Sequence, residues 1–172
     1  MNKLARLLLT ASSIAPVCAT LFFIGFVKET TWLMNYSLYV GLFSWSSALG
    51  LVNYAKSNLE RLDKSVSSLS PANKEVTNYF LSYLFPLLGT DSISENKLYA
   101  SFFYFSLLFY ICFSENYNFN PVLSLHGYKF YEAEDDTGVG FVLISKSIIT
   151  DIKEVTFSVV QLTDYTYLHV EG

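Results

Sequence analysis

The side chains able to do chemistry are few and lie mostly near the C-terminal end. Glu132, Glu134, Asp135 and Asp136 form the densest acidic cluster of the chain. A Ca²⁺ loop needs carboxylates and carbonyls at a more regular spacing than this run provides. That leaves a solvated hairpin tip, or a docking surface for a basic protein. His126 and His169 are the only histidines, 43 residues apart, and read as surface or turn positions rather than as metal ligands. Cys18 and Cys112 fall inside apolar runs, where a thiol packs as a small hydrophobe, so neither a disulfide framework nor a metal site is indicated. The sequence contains no GxSxG elbow, no HExxH and no phosphate-binding glycine loop. No nucleophile and base can be paired from these residues, so the chain reads as non-enzymatic and without a cofactor.

The elements that carry these residues divide into two kinds of sequence. Over 172 residues, 52% are hydrophobic and 15% charged, against about 25% charged in an average soluble domain. Residues 1–114 hold 8 Lys/Arg and 6 Asp/Glu, a net charge of +2, whereas residues 115–172 hold 3 and 9, a net charge of −6. This shift predicts a transmembrane domain over 1–114 and a β-rich cytoplasmic domain over 115–172. The expected fold is an α+β membrane protein, a four-helix transmembrane bundle followed by the small β domain.

The second of four expected spans, 30–55, sets this reading. It has no charge between Glu29 and Lys56, and as a helix it would reach roughly 39 Å, more than the ~30 Å of a bilayer core. Ser44, Ser47, Ala48 and Gly50 offer it a small-residue face on which another helix could pack. The first span, 7–27, lies between Arg6 and Lys28, is read as retained rather than cleaved, and contains Pro16, which predicts a kink. Spans at 76–90, interrupted by Pro86, and at 98–114 complete the set. Between the second and third, Leu59, Leu62, Val66 and Leu69 recur at three- and four-residue intervals, predicting an amphipathic cytoplasmic helix over 56–70, with Ser70 and Pro71 opening the next helix. Six Lys/Arg in the N-terminal segment and the middle loop, against Lys28 and Lys97 in the other two loops, place both termini in the cytoplasm of an inner-membrane protein.

From residue 115 onward, short alternating runs mark strands. Asn120-Pro121 closes off helical structure. Strands are expected at 128–133 and 139–145 around an EDDTG turn, then at 156–162 and 166–170 as a second hairpin. A domain at net −6 repels phosphates, so direct binding of nucleic acid is disfavoured. About 58 residues make a small core, which should lean on the membrane part or on a partner.

The tail reads NPVLSLHGYKFYE, then GVGFVLISK, then VVQLTDYTYLHV. In these segments and in its layout the chain resembles the KwaA family, the membrane subunit of the Kiwa anti-phage defence system. The resemblance implies a homo-oligomer, a tetramer, held in membrane lipid, that senses phage perturbation of the envelope and recruits a cytoplasmic DNA-binding effector of the KwaB kind. It brings no catalytic residues, and its matching positions Gly127, Tyr128, Tyr131, Leu143 and Ser145 imply a structural role. The alternative function is an oligomeric pore that depolarises the membrane.

Overall fold

The computed structural model describes residues 3–72, 83, 85–113, 119–150 and 155–170. Helices α1 (Lys3–Ser13) and α2 (Ala15–Val27) are one apolar rod broken at Ile14. The cause is Pro16 in the first turn of α2, which has no N–H to bond back into the preceding turn. Hydroxyls cover the backbone around the break: Thr10 donates to the Arg6 carbonyl at 2.9 Å, and Ser12 and Ser13 both donate to the Leu9 carbonyl, at 2.8 and 2.9 Å.

A tight turn follows, closed by Thr30 N–H on the Gly25 carbonyl at 2.8 Å, with Glu29 in the left-handed region at φ 52°. Helix α3 (Thr31–Asn58) then returns along α2. The two backbones approach where glycine allows it. A Cβ on Gly25 would lie 2.9 Å from the Met34 nitrogen, and one on Gly41 would lie 3.2 Å from Cys18 Cβ. The small-residue seam of α3 is therefore Ser37, Gly41, Ser44, Ala48 and Ala55. Of the expected packing set, Ser44 and Ala48 are buried in it and Ser47 is half-buried. Gly50 is exposed with open space around its Cα and takes no part.

These helices do not form a four-helix transmembrane bundle. Among the described residues one stretch, Ala5–Val27, is long and apolar enough to cross a bilayer. Helix α3 has 28 residues, but its serines, tyrosines and asparagines lower its hydropathy below a span's, because an uncharged residue is not thereby an apolar one. The expected span 76–90 falls largely outside the described residues. Its described part is a 3₁₀ turn, Phe85–Gly89, after which α4 (Thr90–Glu95) begins. Helix α5 (Lys97–Phe113), at the place of the fourth span, has 17 residues and reaches roughly 26 Å.

The largest departure is at 56–70. No amphipathic helix forms there: α3 ends at Asn58, and strands β1 (Arg61–Val66) and β2 (Ser68–Pro71) follow, separated by Ser67 alone. Together with β3 (Lys129–Glu134), β4 (Gly140–Ser145), β5 (Val155–Thr163) and β6 (Thr166–His169) they make one six-stranded sheet in the order β1-β5-β6-β4-β3-β2. Consecutive strands thus occupy opposite edges. β1 pairs with β5 (Arg61 opposite Val160, Val66 opposite Val155), and β2 pairs with β3 (Ser68 opposite Glu134, Pro71 opposite Tyr131). One strand bent at Ser67 closes the sheet into a curled half-barrel. Ser70 and Pro71 end an edge strand, where proline's missing donor is tolerated, and do not open a helix.

The sheet buries both faces. Val66, Tyr131, Ala133, Phe141, Leu143, Phe157 and Val159 fill the concave side. The alternate positions Phe130, Val142, Ile144, Val160 and Leu168 join the core that contains Leu9, Leu21, Leu33 and Val52 of the helices. Between the two layers lies a five-residue helix, α6 (Pro121–Leu125), so Asn120-Pro121 opens a helix where the sequence suggested that helical structure ends.

The glycine environments give opposite expectations for one substitution. Gly25→Ala forces a methyl against backbone and should lower stability by about 1–3 kcal/mol, whereas Gly50→Ala should be neutral or stabilising by up to about 1 kcal/mol. Thermal unfolding of the two purified variants checks this, and equal effects would overturn the assigned seam.

Candidate functional site

The acidic cluster is a clasp. Asp135 Oδ1 accepts from Thr137 N–H and Val139 N–H at 3.0 Å each and from the Thr137 hydroxyl at 2.5 Å, which fixes the β3–β4 turn. Gly138, at φ 79°, completes that turn. The other oxygen of Asp135 accepts from Lys64 Nζ of β1 at 2.8 Å. Ser65 donates to Asp136 at 2.6 Å, Ser68 donates to a Glu134 carboxylate oxygen at 3.3 Å, and Ser67 donates through N–H and hydroxyl to the Glu134 carbonyl at 2.9 and 3.1 Å. The bend in the closing strand is thereby tied to the turn across the mouth of the half-barrel. The Lys64 ammonium lies 5.3 Å from the Phe141 ring centroid and 5.6 Å from that of Tyr167, so the clasp also seats on the concave core.

Electrostatics follow from this geometry. The Lys64 hydrogen bond, helped by those from the turn, holds the Asp135 carboxyl well below its ordinary value of 3.8, and the same bond raises Lys64. Asp135 is thus committed within the chain, and Asp136 and Glu134 are partly so. Glu132, exposed on β3, keeps its carboxylate on the outer surface.

A second polar cluster joins barrel and helices. Asn120 is fully buried; its Oδ1 caps α6 by accepting from Val122 N–H at 3.0 Å and Leu123 N–H at 3.3 Å. Its amide nitrogen donates to the Leu9 carbonyl at 3.3 Å and to the Ser12 hydroxyl. One side chain therefore binds the helix break of α1/α2 to the helix that leads into β3. Nearby, Lys56 in the last turn of α3 donates to the Tyr128 hydroxyl at 3.1 Å, and His126 sits edge-on to Trp45 with ring centroids 5.1 Å apart. Gly127 lets the chain turn from α6 into β3 at φ 82°.

Neither histidine meets a metal set, and among the described residues no group of three His, Cys, Asp or Glu could hold an ion. His126 Nδ1 donates to the Val122 carbonyl at 3.0 Å. His169 is a half-buried strand residue, not a surface turn, edge-on to Phe157 with its Nδ1 3.0 Å from the Ser145 hydroxyl. Ser145 is fully buried and 3.0 Å from the Ser147 hydroxyl, so a substrate carbonyl has no path to its oxygen.

The arrangement is one of coupling, a helix break and a half-barrel sharing a buried polar tie. A profile of the anti-phage protein KwaA matches residues 5–168, which takes in both layers. The chain belongs to the KwaA family. No curated protein and no solved structure matches it. The KwaA match extends well beyond the tail segments that carried the resemblance. Those residues serve the fold: Tyr128 binds Lys56, Tyr131 accepts the Ile149 N–H at 3.0 Å, and Leu143 and Ser145 are buried on β4. The sequence marked Asn120 only as closing off helical structure before Pro121, and nothing local in it announced the tie from Asn120 to Ser12 or the pairing of Lys64 with Asp135.

Because Asp135 titrates lower folded than unfolded, its contribution is complete above its ordinary value and is lost as pH falls below it. Stability should begin to drop near pH 5 and go on falling below pH 3, and Asp135→Asn should lower the midpoint at neutral pH and flatten that decline. Asn120→Ala leaves the buried N–H groups of Val122 and Leu123 without their acceptor and should cost about 1–3 kcal/mol. Unfolding midpoints measured across pH test the first, and denaturant titration the second.

Proposed function

We propose that this chain is a non-enzymatic, membrane-anchored scaffold of anti-phage defence, in which a helical layer reads the state of the inner membrane and the half-barrel recruits a cytoplasmic effector. The observation that carries the reading is the outward face of the helices. On α5, Leu98, Phe102, Phe105 and Phe109 follow one another at helical spacing and are 65–75% exposed. Helix α3 presents Tyr39, Leu42 and Phe43, and α2 presents Phe23 and Phe26, each more than half exposed. Stripes of this kind on three packed helices exceed the scattered apolar residues of a soluble surface and favour lipid as the solvent.

The polar groups support the same orientation. At one end of the helical layer Lys28 pairs with Asp91, and Lys97 lies 5.8 Å from the Trp32 ring centroid. At the other end lie the half-barrel and Lys56. In this reading Ala5–Val27 crosses the bilayer, α3 and α5 lean on it, and the half-barrel shares the cytoplasmic side with the N-terminus. Homo-oligomerisation as a tetramer and an effector of the KwaB kind belong to the same proposal. The family membership and the net −6 of residues 115–172, which suits a basic DNA-binding partner, support it.

Two measurements test it. The chain should stay in the membrane pellet through alkaline carbonate washing and be released by detergent, and release by carbonate alone would overturn the anchoring. Glu132→Lys should reduce effector co-purification without unfolding the half-barrel, whereas charge reversal at Asp135 would break the turn and report nothing about docking. Unchanged co-purification would remove the acidic face from the docking surface.

A further inference from the structure

The helical layer carries an apolar groove of about 530 Å³ between α2 and α3, closed at one end by Leu125 of α6. That volume lies within the roughly 300–1,000 Å³ of small-ligand sites. Its walls include Ala19 of the candidate span, Leu38, Leu42 and Trp45 of α3. Of the hydroxyls in the walls, those of Thr20 and Ser37 are already engaged inside the protein. Thr20 donates to the Pro16 carbonyl at 3.3 Å, and Ser37 and Tyr104 share a hydrogen bond of 3.1 Å. An occupant with amides or hydroxyls at this depth would lose water and find few partners in exchange. The occupant is therefore hydrocarbon.

Position separates the hydrocarbon candidates. A single turn of helix, 10–12 Å across and 5.4 Å tall, takes up roughly 400–600 Å³. The groove is about that size, and Leu42 in its wall is one of the outward-facing residues of α3, so in the membrane reading acyl chains lie at its mouth. A flexible chain only one methylene wide fits it along its length.

We propose that the groove binds one acyl chain of a membrane phospholipid. The proposal rests on the membrane reading above and names the ligand of the helical layer. Its position gives the ligand a route to the half-barrel, because Leu125 belongs to the helix capped by Asn120, and Asn120 holds the break beside Pro16. A chain lying in the groove touches both sides of that tie.

Trp45 in the wall is a built-in reporter, and Trp32→Phe leaves it as the sole tryptophan of the two. Detergent-solubilised Trp32→Phe protein is titrated with phosphatidylglycerol carrying dibrominated acyl chains, and Trp45 fluorescence is followed. Quenching should saturate near one lipid per chain. Ala19→Phe, which fills the groove from an exposed position, should weaken it by about tenfold or more, as loss of one or two buried methylene contacts would. Leu42→Gln, at a residue 61% exposed, places an amide in the same wall and should act alike if the first variant unfolds. Quenching that is absent, unsaturable or unchanged in both folded variants overturns the site. Loss of oligomer in those variants with lipid quenching intact assigns the groove to a second copy and also overturns it. Carbonate release from membranes identifies failure of the underlying membrane reading, whereas a chain that stays in the pellet but shows no saturable quenching loses the groove alone.

Discussion

One strand serves both edges of one sheet, and much of the structure follows from that. Residues 61–66 need β5 as partner and residues 68–71 need β3, with a single residue between them. A flat sheet cannot meet both demands, so the sheet curls until its edges meet at Ser67. Curling brings the two edge strands together at one bend, and Pro71 withholds a donor from the β2 edge. The curl also creates a concave side small enough for seven buried side chains to fill. The bend is the weakest point of such a design, since a ladder cannot continue through it. The Lys64–Asp135 bond and the three serines around Ser67 supply there the partners that the ladder does not.

Burial on two faces then ties the half-barrel to the helices. Strand β4 reads Phe-Val-Leu-Ile without a polar residue, because Phe141 and Leu143 look inward while Val142 and Ile144 look to the helices. A half-barrel built from so few residues has too little interior to hold alone, and its outer face completes the core of the helical layer. The helices in turn gain a platform at one end. Neither layer is a finished unit, which is why the boundary expected at residue 114 does not describe the packing: residues 61–71 belong to the sheet, and Val122 and Leu123 belong to the core shared with the helices.

What could be read from the sequence was what local pattern decides. The β3–β4 and β5–β6 hairpins lie within about a residue of their alternation, and Pro16 marks the helix break, because turn chemistry and period-two burial act over a few positions. The closing strand was illegible for the opposite reason. Its leucines and valine fit a helical period, while only Val66 and Leu69 reach the concave core and Leu62 stays 41% exposed. Pairing with residues about sixty to a hundred positions away decides its conformation, and no local signal carries that. The same distinction separates Gly41 from Gly50: both lie in the α3 small-residue run, and only the helix opposite tells which one is needed. The acidic cluster was visible as charge, but its engagement was not, since Lys64 lies 71 residues from Asp135.

The family membership and the packing bear on each other. In the proposed membrane role, a change in lipid must become a change that a cytoplasmic partner can meet. A straight apolar helix gives lipid little to act on except its tilt. A helix broken at Pro16 has two segments whose angle costs less to alter than that of an unbroken helix, because proline cannot make the hydrogen bond that would hold them in line. Asn120 bonds that break from the other layer with both ends of its amide engaged, so the angle between α1 and α2 cannot change without moving α6 or breaking a buried bond. Helix α6 runs directly into β3, and β3 ends at the turn that clasps the closing strand. The path from the broken helix to the acidic turn is thus a chain of satisfied polar contacts within a continuous core, which suits the two-state coupling that the proposed role requires.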